Sequence, residues 1–307
     1  MRILITGGRG MVGSNFLEHI AAKDHEILAP SSSTLDLLDA NSVHSYLTKY
    51  SPDWVVHAAG RVGGIQANMK NPVAFLVENL DMGHNIILAS RQAGVKRLIN
   101  LGSSCMYPRN ATNPLSEDMI LKGELEPTNE GYALAKIMTA RLCDYIVRED
   151  ASFQYKTLIP CNIYGRHDKF DPKHSHMVPA VIHKIHQAKL SGADTVEIWG
   201  TGNARREFMY AGDLADCMWR ALEHFHTLPS MMNVGLGSDL SIIEYYQAVA
   251  RVVGYSGRFV HDLSKPEGMA QKLVSVEKLD QWGWCATTSL DDGIAKTYQF
   301  YLEGLAA

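Results

Sequence analysis

Tyr132 and Lys136, four residues apart in "GYALAK", carry the clearest chemistry in the chain. On a helix that spacing puts both side chains on one face. A free phenol titrates at about 10, and a neighbouring ammonium would lower that, giving a proton donor and acceptor for a carbonyl or an alcohol. Alone, Y-x-x-x-K is a common surface pattern, so its surroundings must decide. Upstream lies "GSSCMYP", residues 102–108, where Ser103 or Ser104 at the end of a strand would hydrogen-bond the same oxygen. Cys105 in that loop has two readings from position alone: a small buried hydrophobe or a reactive thiol.

A second motif lies at the start of the chain. Gly7, Gly10 and Gly13 form G-x-x-G-x-x-G between the strand-like "RILIT" and the helix-like "SNFLEHIAA". Glycines there allow a tight turn and let backbone N–H groups approach a pyrophosphate at a helix N-terminus. The turn residues Gly7, Arg9, Gly10, Met11, Val12 and Gly13 are therefore candidate dinucleotide contacts. The next strand runs out into "APSSS" without the acidic residue that would bond the ribose 2′-hydroxyl of NAD, and Arg9 is placed to meet a phosphate. NADP is favoured over NAD.

These motifs need a scaffold, and the pattern supplies one. "HEILAP", "DWVVHAAG" and "KRLINLGSS" read as strands, alternating with helical stretches at "DANSVHSYLTKY", "VAFLVENLDMGHNIILASRQAG" and "EGYALAKIMTARLCDYIVRED". Such alternation predicts a doubly wound α/β fold with a parallel sheet, in which ligands bind beyond the carboxyl ends of the strands. "YKTLIPCNIYG" reads as one more strand. Residues 1–165 form the expected dinucleotide-binding domain and 166–307 mainly a smaller α/β substrate lobe. "MMNVG" is expected to return to the main sheet, within a returning stretch near 207–238.

The totals exclude several classes. A formal net charge of -4 without a basic stripe argues against nucleic-acid binding, and small molecules are the expected partners. No apolar run approaches the roughly 20 residues of a spanning helix, so a soluble, cytoplasmic protein is expected. Five scattered cysteines give neither a disulfide framework nor a zinc knuckle. His167, His174, His176, His183 and His186 crowd one segment, but their spacing fits no standard zinc site; no metal is expected, and the histidines other than His176 are expected at the surface.

The glycine turn, serine loop and Tyr-Lys pair resemble those of the extended short-chain dehydrogenase/reductases. "GGRGMVGS", "VGGIQAN", "LGSSCMYP", "LEPTNEGYALAK", "SHMVPA" and "KPEGMAQKL" narrow the resemblance to the GDP-L-fucose synthase family, from residue 1 to about 295. The resemblance implies an enzyme that inverts two carbons beside a 4-keto group of a GDP-4-keto-6-deoxy sugar and then reduces the ketone with NADPH. By the same likeness Cys105 matches the base and His176 the acid of epimerisation. Ser103, Ser104, Tyr132 and Lys136 match the reducing site, while Ala58, Lys136 and His176 match cofactor contacts. Asn162, Lys184, Trp199, Arg206 and Lys272 match substrate contacts, the cations holding the GDP diphosphate. A homodimer through "VAFLVENLDMGHNIILA" and "YALAKIMTARLCDYIV" is also implied.

Lys184 stands where that family usually has arginine, and Tyr210 with Ala211-Gly212 replaces a histidine and a more polar sequence. A related reductase of a heptose or dideoxyhexose, with epimerisation reduced or absent, is the second reading. A dehydratase would need an acidic pair beside the serine, where Cys105 and Met106 stand. A non-catalytic nucleotide sensor would not need both Tyr132 and Lys136.

Overall fold

Ile3, Leu4 and Ile5 are all fully buried, so the first strand is covered on both faces, as a central parallel strand must be. The computed structural model describes residues 1–171, 175–265 and 268–306. His174 and the Pro266-Glu267 step of "KPEGMAQKL" lie outside them. The first half of the chain runs β1 (Arg2–Thr6), α1 (Met11–Glu18), β2 (Glu26–Leu28), α2 (Ala40–Tyr50), β3 (Trp54–His57), α3 (Ile65–Lys70), α4 (Pro72–Gln92), β4 (Arg97–Leu101) and α5 (Glu130–Glu149). It continues through β5 (Gln154–Pro160), β6 (Asn162–Tyr164), α6 (Met177–Ser191), β7 (Thr195–Trp199), β8 (Arg205–Arg206), β9 (Phe208–Tyr210), α7 (Ala211–Glu223) and β10 (Met231–Val234). Last come β11 (Leu240–Ser241), α8 (Ile242–Val253), β12 (Arg258–Asp262), β13 (Gln271–Lys272), α9 (Glu277–Trp282) and α10 (Leu290–Ala306).

Among the described residues the main sheet has six parallel strands in the order β10-β5-β4-β3-β1-β2. The winding reverses between β1 and β3, and in such sheets the ligand crevice opens at that point. One face packs a core containing Phe16, Trp54 and Trp219, and the other a core of Leu47, Val55, Ile86 and Leu98. A third core contains Ile182, Ile198, Tyr245 and Val249.

"MMNVG" returns as β10, paired with β5 at Leu158↔Met232. α7 returns with it: Trp219 stacks on Phe16 of α1 at 4.3 Å and donates from Nε1 to the Phe16 carbonyl. A second return was not evident from the pattern, since Val274, Leu279 and Trp284 join the same core. "YKTLIPCNIYG" is two strands. Val234 O accepts from Cys161 N at 2.9 Å to end the ladder with β10, and residues 162–164 then turn to pair with β9. Helix α1 starts three residues before "SNFLEHIAA", because Ser14 N already donates to Gly10 O at 2.8 Å. Asp39 caps α2, its carboxylate accepting from Asn41 N at 2.9 Å.

Candidate active site

A cavity of about 600 Å³ follows the carboxyl ends of β1, β3, β4 and β5. The glycine turn lines one end. Gly7 has φ +74°, and a Cβ there would come within 2.9 Å of the Ala59 backbone. A Cβ on Gly13 would meet Gly7 O at 2.3 Å, so only glycine lets α1 begin this close to the turn. No side chain caps α1, and its first turn holds no acidic residue, which leaves the N-terminal N–H groups and the positive end of the helix for an anion. A dinucleotide pyrophosphate fits that arrangement. Arg9, Gly10, Met11, Val12 and Ala58 line the same end. So do Ser31, Ser32 and Asp36, of which the sequence reading used only the absence of an acid directly after β2.

The other end gathers Ser103, Ser104, Cys105, Tyr132, Lys136, Asn162 and His176. Residues 104–106 make a short 3-10 turn capped by Ser103, whose Oγ accepts from Cys105 N at 3.2 Å. That turn aims the loop after β4 at the start of α5. Of the two serines, Ser103 is the one hydrogen-bonded to Tyr132, while Ser104 is buried. Lys136 is buried, lies 5.9 Å from the Tyr132 ring centre and donates from Nζ to Leu101 O at 2.9 Å.

This corrects one expectation. Lys136 does not lower Tyr132: burial pushes the Tyr132 hydroxyl up, Cys105 adds to that, and the hydrogen bond with Ser103 opposes both. The same burial draws Lys136 down to about 8, so its ammonium persists at neutral pH.

Cys105 is half-buried, and its Sγ accepts from Asn129 Nδ2 at 3.2 Å and from Lys272 Nζ at 3.3 Å. The side chain also packs against the main core. His176 sits at the N-terminal end of α6 and opens on the same cavity. Burial, then Lys169 and Lys272, hold it below the ordinary imidazole range.

The substrate candidates divide. Asn162 lines the cavity and donates from Nδ2 to Glu207 O at 2.8 Å. Lys272 reaches the cysteine from β13, next to Arg206 across the β13–β8 pair. Of the five, only Asn162 lines the cavity; Lys184, Trp199, Arg206 and Lys272 do not. Lys184 Nζ donates to Glu197 O at 2.7 Å and Trp199 Nε1 to Glu197 Oε1 at 3.0 Å, so those two stand together around Glu197.

Two residues of this region escaped sequence reasoning. Asn129 immediately precedes the Tyr-Lys helix and lies within the quoted motif "LEPTNEGYALAK", but it was not singled out. Glu207 gave no signal: it is fully buried, accepts from Gly237 N at 3.0 Å and Val274 N at 3.1 Å, and burial raises it to about 7. It ties β8 to the stretch after β10 and to the strand carrying Lys272. Two of the expected surface histidines are buried: His57, and His186 with Nδ1 2.8 Å from the Tyr298 hydroxyl. Among the described residues, no three His, Cys, Asp or Glu side chains group as a metal site, and no helix is long and apolar enough to cross a membrane.

A parallel sheet with an open glycine turn at one end of its crevice and Ser103, Tyr132 and Lys136 at the other defines a dinucleotide-dependent enzyme of the short-chain dehydrogenase/reductase type. A family profile matches residues 3–235, and the chain belongs to the NAD dependent epimerase/dehydratase family. It is 55% identical over 302 residues to GDP-L-colitose synthase of Yersinia pseudotuberculosis, covering 98% of each chain. To GDP-L-fucose synthase of Azorhizobium caulinodans it is 52% identical over 303 residues, covering 99% of this chain and 97% of that one. A solved GDP-mannoheptose C4 reductase from Campylobacter jejuni with NADP bound superposes with a TM-score of 0.89 at 32% identity, covering 98% of each chain.

Proposed function

We propose that the chain binds NADP(H), epimerises GDP-4-keto-6-deoxy-D-mannose at C3 and C5, and reduces the C4 ketone to give GDP-L-fucose. The observation that carries this reading is the convergence of Cys105, His176, Ser103 and Tyr132 on one cavity. A carbon beside a ketone loses its proton when a base stands over it and donors receive the charge that moves onto oxygen. Cys105 is the base, taking that proton as the C–H electrons pass to the ketone oxygen. Ser103 and Tyr132 hold this oxygen. His176 returns a proton to the opposite face, and repetition at the second carbon completes the inversion.

NADPH, when bound along the glycine turn, supplies the hydride for C4. Tyr132 then gives its proton to the alkoxide, and the hydrogen bond with Ser103 steadies the charge left behind. One oxygen site serves both halves of the reaction.

A second reading has support of its own. The relative named a colitose synthase is 55% identical, slightly above the fucose synthase at 52%, so reduction of a dideoxyhexose counterpart with fewer inversions competes with the first. Incubation of purified enzyme with NADPH and GDP-4-keto-6-deoxy-D-mannose, followed by NMR of the product, separates them. The L-fuco product supports the proposal; an unepimerised 6-deoxy product, or none, overturns it.

The homodimer implied by resemblance draws support from exposed apolar residues on the outer faces of the two long helices: Val73 and Val77 on α4, and Leu134, Met138 and Tyr145 on α5. Sedimentation at the mass of two chains, reduced to one by Met138→Glu, is the expected outcome. Five free cysteines suit the reducing cytoplasm in which such an enzyme would work.

A further inference from the structure

Asn129 occupies the N-cap position of α5, where an asparagine side chain ordinarily accepts from the first free N–H groups of its helix. It does not do so here. No side-chain cap bond forms; the amide instead donates across the loop to Cys105 Sγ at 3.2 Å, and its Oδ1 is buried without a hydrogen-bond partner among the described residues. A helix cap has been given up and an acceptor left unsatisfied, both unfavourable, to direct one N–H at sulfur.

The second donor arrives from a distant part of the chain. Lys272 is 167 residues from Cys105 in sequence, and its Nζ lies 3.3 Å from the sulfur. β13 holds it in register beside Arg206, and the Glu207 carboxylate fixes the strand two residues further on by accepting from Val274 N. An ammonium has three donors and no acceptor, and the amide of Asn129 meets the sulfur through its donor end. Both donors are thus aimed at the sulfur, whose lone pairs accept from them.

We propose that Asn129 and Lys272 are positioning residues that hold the Cys105 sulfur as a proton acceptor. The inference rests on the epimerase reading above and deepens it: the pair equips the cysteine for carbon deprotonation, the half of the reaction that hydride transfer does not need. In the step they serve, the S–H bond forms as the C–H bond breaks, and the C–H electron pair moves to the ketone oxygen. Solvent takes up the proton from sulfur before the next cycle.

The test uses the full-length enzyme and its variants Lys272→Met, Lys272→Arg and Asn129→Leu. Two quantities are read: exchange of solvent deuterium into GDP-4-keto-6-deoxy-D-mannose in D2O without NADPH, and the rate at which iodoacetamide alkylates Cys105, followed by peptide mass spectrometry. Removing a charge-assisted contact predicts a fall of about 10- to 100-fold in kcat for exchange in Lys272→Met, with a smaller fall in Asn129→Leu. Lys272→Arg, which keeps the charge and donors, recovers most of the loss. Alkylation slows in the same order, because Lys272→Met and Asn129→Leu each remove a donor that holds the sulfur in place for attack.

A Lys272 that serves only the substrate diphosphate gives a raised KM with kcat for exchange and alkylation unchanged, and that result overturns the proposal. If wild-type enzyme exchanges no deuterium, the epimerase reading fails. The alkylation series then decides separately whether the two donors control the sulfur. An unchanged NADPH dissociation constant in each variant shows that the fold is intact.

Discussion

Replacing Lys136 by methionine removes a buried ammonium while keeping much of the side chain's length. Burial holds this lysine at about 8 against an ordinary 10.5. That gap corresponds to about 3 kcal/mol, at about 1.4 kcal/mol for each pH unit. The folded value lies below the unfolded one, so between them the unfolded chain binds the extra proton and stability rises with pH. Below about 8 both states are protonated, and the folded protein carries the full cost of the buried charge.

Urea unfolding of cofactor-free wild type and Lys136→Met between pH 7 and 10 reads this directly. The hydrogen bond to Leu101 O lost in the variant contributes an offset across that range. The pH-dependent part of the difference should then favour wild type by about 2 kcal/mol more at pH 10 than at pH 8. A difference that stays flat refutes the assignment of Lys136 as a charge held in a dry site, and with it the account of why Tyr132 is not lowered.

Tyr132→Phe should cut ketone reduction by about 10²- to 10⁴-fold while deuterium exchange beside the ketone falls much less, since exchange needs an oxygen donor but no proton for C4; parallel losses in NADPH oxidation and NMR exchange assays would contradict this. Gly13→Val places a side chain against Gly7 O and should weaken NADPH binding about tenfold or more in a fluorescence titration, with an unchanged constant arguing against pyrophosphate at this turn. His176 should titrate below 6.5 in long-range 1H-15N NMR and move up in Lys272→Met; because its folded value is depressed, its burial lowers stability most in acid and ceases to do so above the unfolded value.

Much of the architecture was legible because it is written in local pattern. The buried run "RILIT", the glycine turn and the i, i+4 spacing of Tyr132 and Lys136 each lie within one element or one connection. The bend after Pro160 was not legible: "YKTLIPCNIYG" is apolar throughout, and only the arrival of β10 and β9, some 50 to 75 residues later, splits it between two sheets. Nor was the environment of Cys105, because its two donors come from a helix cap and from a two-residue strand that pairs with β8. The phenol of Tyr132 shows the limit most clearly. Sequence spacing brought the lysine near, but whether its charge or the dryness of the pocket prevails depends on packing that spacing does not encode.

The central claim is that one pocket deprotonates carbon before it reduces the ketone. It is tested most directly by running the reaction on GDP-4-keto-6-deoxy-D-mannose in D2O and locating deuterium in the product by NMR, for wild type and for Cys105→Ser. The account predicts deuterium at both C3 and C5 with wild type and a severe loss at both with the variant. A wild-type product that is reduced at C4 yet carries deuterium at neither carbon would contradict it.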